Sequence, residues 1–375
     1  MKEGSRTAAV VLAAGTSTRM GAVKQLLPLE GRPLLQHVLD IVRDSGVDEI
    51  ILVLGYAADR IKPKLELQNV RVVLNDNYGQ GMGGSLKVGL SAVDSRTDAA
   101  LIILADQPFV RSATLEQLMI EHQHSMAQIV IPTYRGFRGN PVLLDRSVFP
   151  EIMGLDGDLG CRAIFGHHQD GIVKLPVDDV GILLDIDRQD DLKALRHAGS
   201  RAEMEKTLLE AVELQGRHLA EADPSRPQLV IVGRDAIALA LVKLGQLLRF
   251  TVTLVDPLLT ASQLPGVDSV LHVLDFSQLS PSSDRHVVIA SRGTCDEEAI
   301  EQALHTKSAY VALVANRKRG EEVLRGVRMK AIAAEDLASV RIPAGLEIGA
   351  RSPEEIALSI MAQIVAERSK SVPAA

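Results

Sequence analysis

Apolar runs alternate with helix-like stretches through the first half of the chain. The predicted strands are residues 7–12, 49–54, 70–75 and 99–105, and the predicted helices are residues 34–45 and 85–93. The strand-like runs are apolar almost throughout, which is typical of parallel strands that are buried on both faces. This alternation predicts an α/β domain with a doubly wound, mostly parallel sheet and helices on both faces.

The same rhythm starts again after a break at residues 223–227. Residues 201–221 are rich in Ala, Glu and Leu and predict a helical linker before that break. Strands are expected at 228–232, 251–255, 287–290 and 310–314, and helices at 236–248 and 297–304. We therefore divide the chain into a first domain (1–198), a linker (199–227) and a smaller, Rossmann-like α/β domain (228–375). A last helix is expected after Ser352, with Ser352 as its N-cap and Glu355 three positions later.

Composition narrows the class of protein. The 375 residues carry a formal net charge of −7 and no Trp, and no dense basic run with interleaved aromatic residues occurs, which argues against a nucleic-acid partner. The two cysteines, Cys161 and Cys295, lack the spacing of a zinc site and fit a reducing compartment. No apolar run is long enough to cross a bilayer. We expect a soluble, cytoplasmic protein without a membrane partner.

The first loop carries the strongest chemical signal. Residues 12–24 read LAAGTSTRMGAVK, so a strand is followed by a turn with Gly15, Ser17 and Gly21 and by two cations, Arg19 and Lys24. Glycine lets backbone N–H groups approach an oxyanion, and the cations suit a triphosphate. The spacing is not that of a Walker A loop. An ordinary turn with two surface cations is the alternative.

Two further motifs follow predicted strands, where ligands bind in open α/β sheets. Residues 79–90 form a glycine-rich loop that enters a helix, with Ser85 as the expected N-cap; a capped helix without a ligand is the alternative. Asp106 ends the most apolar strand on a loop stiffened by Pro108, and a carboxylate there could hold Mg²⁺ or simply cap a turn. Cys161 is expected to be a packed residue and not a nucleophile.

The string at 12–24, continued by QLLP at 25–28 and GRPLL at 31–35, resembles the signature of the nucleotidyltransferases that complete the molybdenum cofactor. The resemblance implies a nucleotide-diphospho-sugar-transferase-like fold and catalytic roles for Arg19, Lys24 and Asp106. It implies that Asp106 and Asp187 hold Mg²⁺, with Asp185 as the second choice because it would share a strand face with Asp187. It also implies that the nucleotide-binding residues are Leu12, Ala13, Ala14, Gly15, Ser17, Arg19, Lys24, Gly81, Met82 and Ser85.

The same resemblance implies a reaction. CTP would give its CMP to the phosphate of molybdenum-bound molybdopterin, and pyrophosphate would leave. Relatives that attach GMP tend to have LAGG in the first loop and those that attach CMP tend to have LAAG, so Ala14 favours CTP. Asn140, Asp158 and Arg162 are the implied acceptor-binding residues. The alternatives are a related enzyme that uses GTP or a sugar phosphate, and a carrier that binds finished cofactor without catalysis.

The second half resembles the C-terminal domain of the xanthine dehydrogenase accessory factor family, through GTCDEEA at 293–299, YVALVANRKR at 310–319 and PAGLEIGARSPEEIA at 343–357. That resemblance implies an apo molybdenum hydroxylase as client. The first turn reads GRDAIA at 233–238, so two glycines of the dinucleotide fingerprint are missing and we do not expect NAD to bind in the usual way. Asp256 still follows Gly233 by 23 residues, near the ribose-binding offset. Arg317, Lys318 and Arg319 could hold a phosphate or only solvate a helix start.

Overall fold

The computed structural model describes residues 5–15, 23–154, 160–186, 226–259, 264, 266–328 and 332–371. These residues form two compact units: the first comprises residues up to 186 apart from 135–137, and the second comprises residues 135–137 and residues from 226 onward. The linker at 199–227 and the helix expected at 201–221 lie almost wholly outside the described residues. The proposed domain boundaries therefore stay a prediction.

The first unit is built on an eight-stranded sheet in the part of the chain that the structure describes. Its strands are β1 (Thr7–Ala13), β4 (Glu49–Leu54), β5 (Val70–Leu74), β6 (Ala99–Leu104), β7 (Ile129–Tyr134), β8 (Phe137–Arg138), β9 (Val142–Asp145) and β10 (Ile172–Pro176); β2 (Pro28–Leu29) and β3 (Arg32–Pro33) form a separate small ribbon. The strand order in the sheet is β10-β7-β9-β6-β1-β4-β5, with β8 beside β7. The β1–β4, β1–β6, β4–β5 and β7–β10 pairs are parallel, whereas β9 is antiparallel to β6 and β7. The mostly parallel α/β sheet is confirmed.

Both faces of this sheet are buried, as the uninterrupted apolar runs predict. Ala8, Val10 and Leu12 of β1 belong to one core cluster, and Ala9 and Val11 belong to the other. Successive side chains of a strand point to opposite faces, so β1 contributes to both cores. The helices are α1 (Leu34–Asp44), α2 (Ala58–Ile61), α3 (Met82–Ser91), α4 (Ser112–Ser125) and α5 (Phe149–Gly154). Helix α3 packs on the first cluster, and α1 and α4 pack on the second.

The second unit has a five-stranded parallel sheet, ordered β13-β12-β11-β14-β15. The strands are β11 (Gln228–Val232), β12 (Thr251–Val255), β13 (Ser269–Leu271), β14 (Arg285–Ile289) and β15 (Tyr310–Leu313), and the helices are α6 (Ala236–Leu247), α7 (Asp296–His305), α8 (Arg317–Arg328), α9 (Ala334–Ser339) and α10 (Pro353–Ser371). Helices α6 and α10 share a core cluster with β11 and β12. A second α/β domain is therefore confirmed.

The predicted helix starts have different outcomes. Helix α10 begins at Pro353, and Ser352 and Glu355 form the expected capping box: Glu355 N donates to Ser352 Oγ at 3.2 Å, and Ser352 N donates to Glu355 Oε2 at 2.9 Å. The prediction that Ser85 is an N-cap is wrong, because α3 begins three residues earlier, with Gly81 as its cap. Among the helices that the structure describes, none combines the length and the hydropathy that a membrane span requires.

Gly89 allows α3 to approach β1 closely. A Cβ atom at this position would lie 2.3 Å from Val10 Cγ1 and 3.0 Å from Val53 Cγ2. We expect Gly89→Ala to lower the free energy of unfolding by roughly 1–3 kcal/mol, because it overpacks the core. Gly84→Ala is the matched control in the same helix: its Cβ would meet nothing closer than Asn75 Nδ2 at 3.6 Å. That control should be neutral or gain up to about 1 kcal/mol of helix propensity. Equal losses in chemical unfolding would contradict the packing argument.

Asp145, at the end of β9, accepts hydrogen bonds from His122 Nε2 at 3.0 Å and from Ser147 N at 2.9 Å. Burial alone would raise the pKa of Asp145, but these hydrogen bonds outweigh burial and lower the pKa to about 2. A carboxylate whose pKa falls on folding stabilises the folded state above its unfolded pKa, and the contribution is lost as the pH falls through the folded pKa.

We therefore expect Asp145→Asn to cost about 2 kcal/mol of unfolding free energy at pH 7. The difference from the unsubstituted protein should shrink below about pH 4, where the unfolded carboxyl group takes up its proton. Chemical unfolding measured at several pH values checks this. Asp59→Asn, on an exposed position of α2, is the control and should change stability by less than about 0.5 kcal/mol. A cost for Asp145→Asn that does not vary with pH would exclude the carboxylate as its source.

Candidate active site

Two adjacent parallel strands, β1 and β6, bring the main candidate residues together. Their register pairs Leu12 with Leu104, and Ala105 N donates to Leu12 O at 3.2 Å just beyond the pair. Both strands therefore end at the same edge of the sheet. The first loop leaves β1 at this edge and Asp106 follows β6 there, as expected for ligand sites in open α/β sheets.

Lys24 and Asp106 form an ion pair at this edge. Lys24 Nζ donates to Asp106 Oδ2 at 2.8 Å, although 82 residues separate the two in sequence. The side chains are partly buried, with 13% of Lys24 and 28% of Asp106 exposed. The second carboxylate oxygen, Asp106 Oδ1, is buried and has no hydrogen-bond partner within the described residues. A buried carboxylate oxygen without a donor is the kind of atom that a hard cation coordinates, so this site fits Mg²⁺.

Gln25 holds the turn that carries Lys24. Its side chain is 5% exposed, and Nε2 donates to Ala13 O at 2.8 Å and to Gly15 O at 3.4 Å. The 3-10 turn Lys24–Leu26 is thereby tied to the end of β1. Sequence reasoning missed this role. One signal in the sequence could have indicated it. Gln25 has a long amide side chain and directly follows the candidate cation Lys24, so it could reach back to the end of the strand before the loop.

The structure describes the start of the first loop, where several of the predicted nucleotide-binding residues lie. Leu12, Ala13 and Ala14 are buried, and Gly15 is exposed. The Ala14 methyl group belongs to a core cluster, and a Cβ built on Gly55 would lie 2.9 Å from Ala14 Cβ. Ala14 O accepts from Tyr56 N at 3.3 Å. Ser17 and Arg19 lie outside the described residues, so their predicted roles stay predictions.

The glycine-rich loop meets the carboxyl end of β5. Gly81 has a φ of 105°, which favours glycine, and it starts α3; Met82 is 48% exposed. Ser85 lies inside the helix, where its Oγ accepts from Asn75 Nδ2 at 3.0 Å. The Ser85 hydroxyl therefore anchors α3 to the residue that follows β5. Nucleotide contacts by Gly81, Met82 and Ser85 stay predictions.

The described segment that precedes the second predicted metal ligand in sequence runs beside Asp106. Ile186 N donates to Asp106 O at 2.9 Å, and Gln107 Nε2 donates to Asp185 Oδ1 at 2.7 Å. Asp187 itself lies outside the described residues. The expectation that Asp185 lies in a strand is wrong, because residues 184–186 follow a 3-10 turn, Val180–Leu183, and form no strand. Among the residues that the structure describes, no group of three or more His, Cys, Asp or Glu could hold a metal.

The predicted acceptor residues lie in two places. Asn140 N donates to Ile182 O at 3.1 Å, which places this residue next to the segment that runs toward Asp106. Arg162 lies in the 3-10 turn Cys161–Ile164, directly after Gly160; a Cβ built on Gly160 would lie 3.6 Å from Met82 Sδ. Asp158 lies outside the described residues. Burial raises the pKa of Cys161 to about 11, which supports packing and argues against a nucleophile.

In the second unit, the positions that would hold a dinucleotide already have partners. Asp235 Oδ1 accepts from Ile237 N at 3.0 Å and Ala238 N at 2.9 Å, and Asp235 Oδ2 accepts from Arg292 Nε at 3.0 Å. These amides at the start of α6 are the ones that a diphosphate would need. Asp256 is buried and accepts from two amides of its own loop, and burial raises its pKa. The expectation that NAD does not bind here in the usual way stays a prediction.

Of the three cations near the start of α8, Arg319 has a partner inside the unit: it donates to Asp296, which is fully buried. Asp296 also accepts from Ser291 Oγ and from Gly293 N. Arg319 therefore joins α8 to the loop before α7. Arg317 and Lys318 are exposed.

Comparison with known proteins agrees with this division. Residues 9–172 match the family described as "MobA-like NTP transferase domain", and residues 229–364 match "XdhC Rossmann domain". The nicotine blue oxidoreductase of Paenarthrobacter nicotinovorans is 31% identical over 160 residues, which cover 41% of this chain and 78% of that protein. The bifunctional protein GlmU of Trichlorobacter lovleyi is 35% identical over 130 residues, which cover 34% of this chain but only 28% of GlmU.

Among solved structures, the Mycobacterium sp. strain JC1 homolog of Mycobacterium tuberculosis rv0371c has 34% sequence identity and a TM-score of 0.48; the match covers 54% of this chain and 98% of that one. The two matched family descriptions correspond to the two units, and together they carry the assignment. The chain therefore belongs, through its first domain, to the family of MobA-like NTP transferases, and it joins that domain to an XdhC Rossmann domain.

Proposed function

We propose that the chain transfers CMP from CTP to the phosphate of molybdenum-bound molybdopterin, which releases pyrophosphate and forms molybdopterin cytosine dinucleotide. The observation that carries the proposal is the Lys24–Asp106 pair at the carboxyl edge of the first sheet, with one buried oxygen of Asp106 unpartnered within the described residues. A cation and a carboxylate at the end of adjacent parallel strands suit a metal-dependent reaction of a triphosphate. The family assignment supports nucleotidyl transfer as the reaction class.

To catalyse this reaction, the protein must position the two substrates and supply positive charge. The acceptor phosphate is already an anion, so it needs no strong general base to attack the α-phosphorus. The difficulty is to bring two anions together and to stabilise charge on the leaving pyrophosphate. Lys24 provides a positive charge whose position is fixed because Gln25 ties the turn Lys24–Leu26 to the end of β1. The exposed Gly15 lets the loop backbone approach the phosphates closely. Arg19 would add a second cation.

Asp106 would hold Mg²⁺ through Oδ1, and Asp187 would supply a second carboxylate. When bound, the cation would neutralise charge on the phosphate oxygens and orient the leaving group. The chain's own contribution is to keep the Asp106 carboxylate in place. Ile186 N binds the Asp106 carbonyl, and Gln107 connects the neighbouring backbone to Asp185.

The choice of CTP rests on Ala14. Its methyl group packs against Gly55 in the core. The methyl group would therefore affect the distance between the ends of β1 and β4, and that distance would affect the width of the base pocket. A pocket narrowed in this way would suit a pyrimidine better than a purine. We further propose that the XdhC Rossmann domain presents the product to an apo molybdenum hydroxylase.

A redox activity is the competing candidate, because one relative of the first domain carries the name of an oxidoreductase. In this chain, Asp235 takes the amides at the start of α6 that a dinucleotide would need in the second unit. A nicotinamide cofactor would therefore have to bind in the first unit. Oxidation of NADH or NADPH by the purified protein with nicotine blue as the added electron acceptor, lost on substitution of Lys24, would favour this candidate over nucleotidyl transfer.

The first prediction for the site concerns the reaction itself. With molybdopterin cofactor as acceptor and Mg²⁺ present, we expect pyrophosphate release to be faster with CTP than with GTP or ATP. Asp106→Asn should reduce this release by roughly 100-fold or more, because the variant loses a carboxylate that holds the cation. Asp59→Asn, an exposed carboxylate of the same unit, is the matched control and should leave the rate unchanged.

Three outcomes of that assay would change the proposal. Faster release with GTP would assign the guanine form of the cofactor. Release only with a sugar phosphate as acceptor would assign a different substrate within the same family. If folded protein releases no pyrophosphate with any nucleotide, a carrier role takes the place of catalysis.

The second prediction concerns the base. We expect Ala14→Gly to lower the ratio of CTP to GTP activity by up to about tenfold, because loss of one methyl group changes discrimination only modestly. Ala9→Gly is the matched control, since Ala9 is equally buried in the same strand but lies away from the strand's end and belongs to the core cluster on the opposite face of the sheet. The control should lose stability without a change in that ratio. Equal ratios in both variants and the unsubstituted protein would remove Ala14 from base selection.

A further inference from the structure

The two oxygens of Asp106 differ in their surroundings. Oδ2 accepts a hydrogen bond from Lys24 Nζ at 2.8 Å, whereas the buried Oδ1 lacks a partner among the described residues. A cation that binds this carboxylate would therefore use Oδ1. The neighbouring oxygen, Oδ2, is already paired with the Lys24 ammonium group. The two oxygens of a carboxylate lie about 2 Å apart, so a cation on Oδ1 would be within a few ångströms of the Lys24 charge.

Lys24 is held in this position by more than its attraction to Asp106. The Gln25 amide ties the turn Lys24–Leu26 to the carbonyl oxygens of Ala13 and Gly15, and Gln25 is buried. The Lys24 ammonium group is itself mostly shielded from solvent. Screening by water and salt is weaker for such a charge than for an exposed lysine. A bare divalent cation that approaches Asp106 would therefore meet a fixed positive charge.

From this arrangement we propose that Lys24 makes metal binding depend on the nucleotide, so that the first domain takes up a metal-chelated nucleoside triphosphate and discriminates against the free divalent cation. A triphosphate supplies negative charge that can pair with the Lys24 ammonium group while its metal binds Asp106 Oδ1. The repulsion that opposes the free cation is then offset by the phosphates. Lys24 acts here as a specificity-determining residue for the form of the substrate.

This inference rests on the proposed nucleotidyl transfer for the identity of the ligand, but its test does not depend on turnover. Mn²⁺ is the probe, because electron paramagnetic resonance distinguishes the free ion from the bound ion. The full chain is titrated with Mn²⁺ in the absence of nucleotide and again with CTP, and a titration of CTP without protein is subtracted because CTP itself chelates Mn²⁺. The variants are Lys24→Gln, which removes the charge but keeps a donor, and Lys24→Arg, which keeps the charge.

We expect the unsubstituted protein to bind free Mn²⁺ weakly and to bind it at least about tenfold more tightly when CTP is present. Lys24→Gln should bind Mn²⁺ without nucleotide about tenfold more tightly than the unsubstituted protein, since even water-like screening leaves this much repulsion between charges a few ångströms apart. Lys24→Arg should bind the free ion as weakly as the unsubstituted protein. Asp106→Asn should abolish the tight binding in the Lys24→Gln background, which locates the site. Lys64→Gln, at an exposed position, is the control for net charge.

The proposal is overturned if Lys24→Gln binds free Mn²⁺ no more tightly than the unsubstituted protein, or if Lys64→Gln produces the same gain. Lys24→Met, of similar length, repeats the comparison if Lys24→Gln does not fold, as judged by circular dichroism. Failure of the proposed function would look different: the Mn²⁺ titrations would follow the expected order, but no pyrophosphate would be released with molybdopterin cofactor.

Discussion

The candidate site depends on the pairing of a lysine and an aspartate that lie 82 residues apart in sequence. Their contact is possible only because β1 and β6 are neighbours in a parallel sheet and end at the same level. The β1 strand is central, since it lies between β6 and β4 and contributes alternate side chains to both cores. The hydrophobic effect that builds the sheet therefore also sets the distance between the two charges.

Much of this arrangement could be predicted from the sequence. The strands of both units follow from short apolar runs, and the position of Asp106 near the first loop follows from the rule that parallel strands carry ligands at their carboxyl ends. The contacts of Gln25 and the cap of α3 at Gly81 could not be predicted, because they depend on which backbone groups remain unpaired after the chain has folded. The antiparallel insertion of β9 between β6 and β7 is likewise a long-range pairing that local pattern does not encode.

In the second unit, a side chain of the chain itself occupies the start of the helix that follows the first strand. Sequence reasoning identified the missing glycines at 233–238, but it did not foresee that Asp235 would itself take the amides at the start of α6. An N-cap carboxylate stabilises a helix by the same interactions that would bind a diphosphate. Arg292 Nε donates to the other oxygen, Asp235 Oδ2, and its positive charge compensates the negative charge of the carboxylate. The interactions that stabilise this helix and those that would bind a dinucleotide thus compete for one set of donors.

At Asp106, in contrast, a buried oxygen is left without a hydrogen-bond donor among the described residues, at a cost in stability. A buried oxygen without a donor costs roughly 1–3 kcal/mol, and a fold selected for stability alone would provide a partner. Here the Lys24 ammonium group compensates the charge of the carboxylate through Oδ2, and the second oxygen keeps its capacity to bind. The neutralised pair is cheaper to bury than a lone carboxylate, which allows the site to exist before its ligand arrives. A ligand that brings both a cation for Oδ1 and anions for Lys24 satisfies both groups at once, whereas a free cation satisfies only one of them.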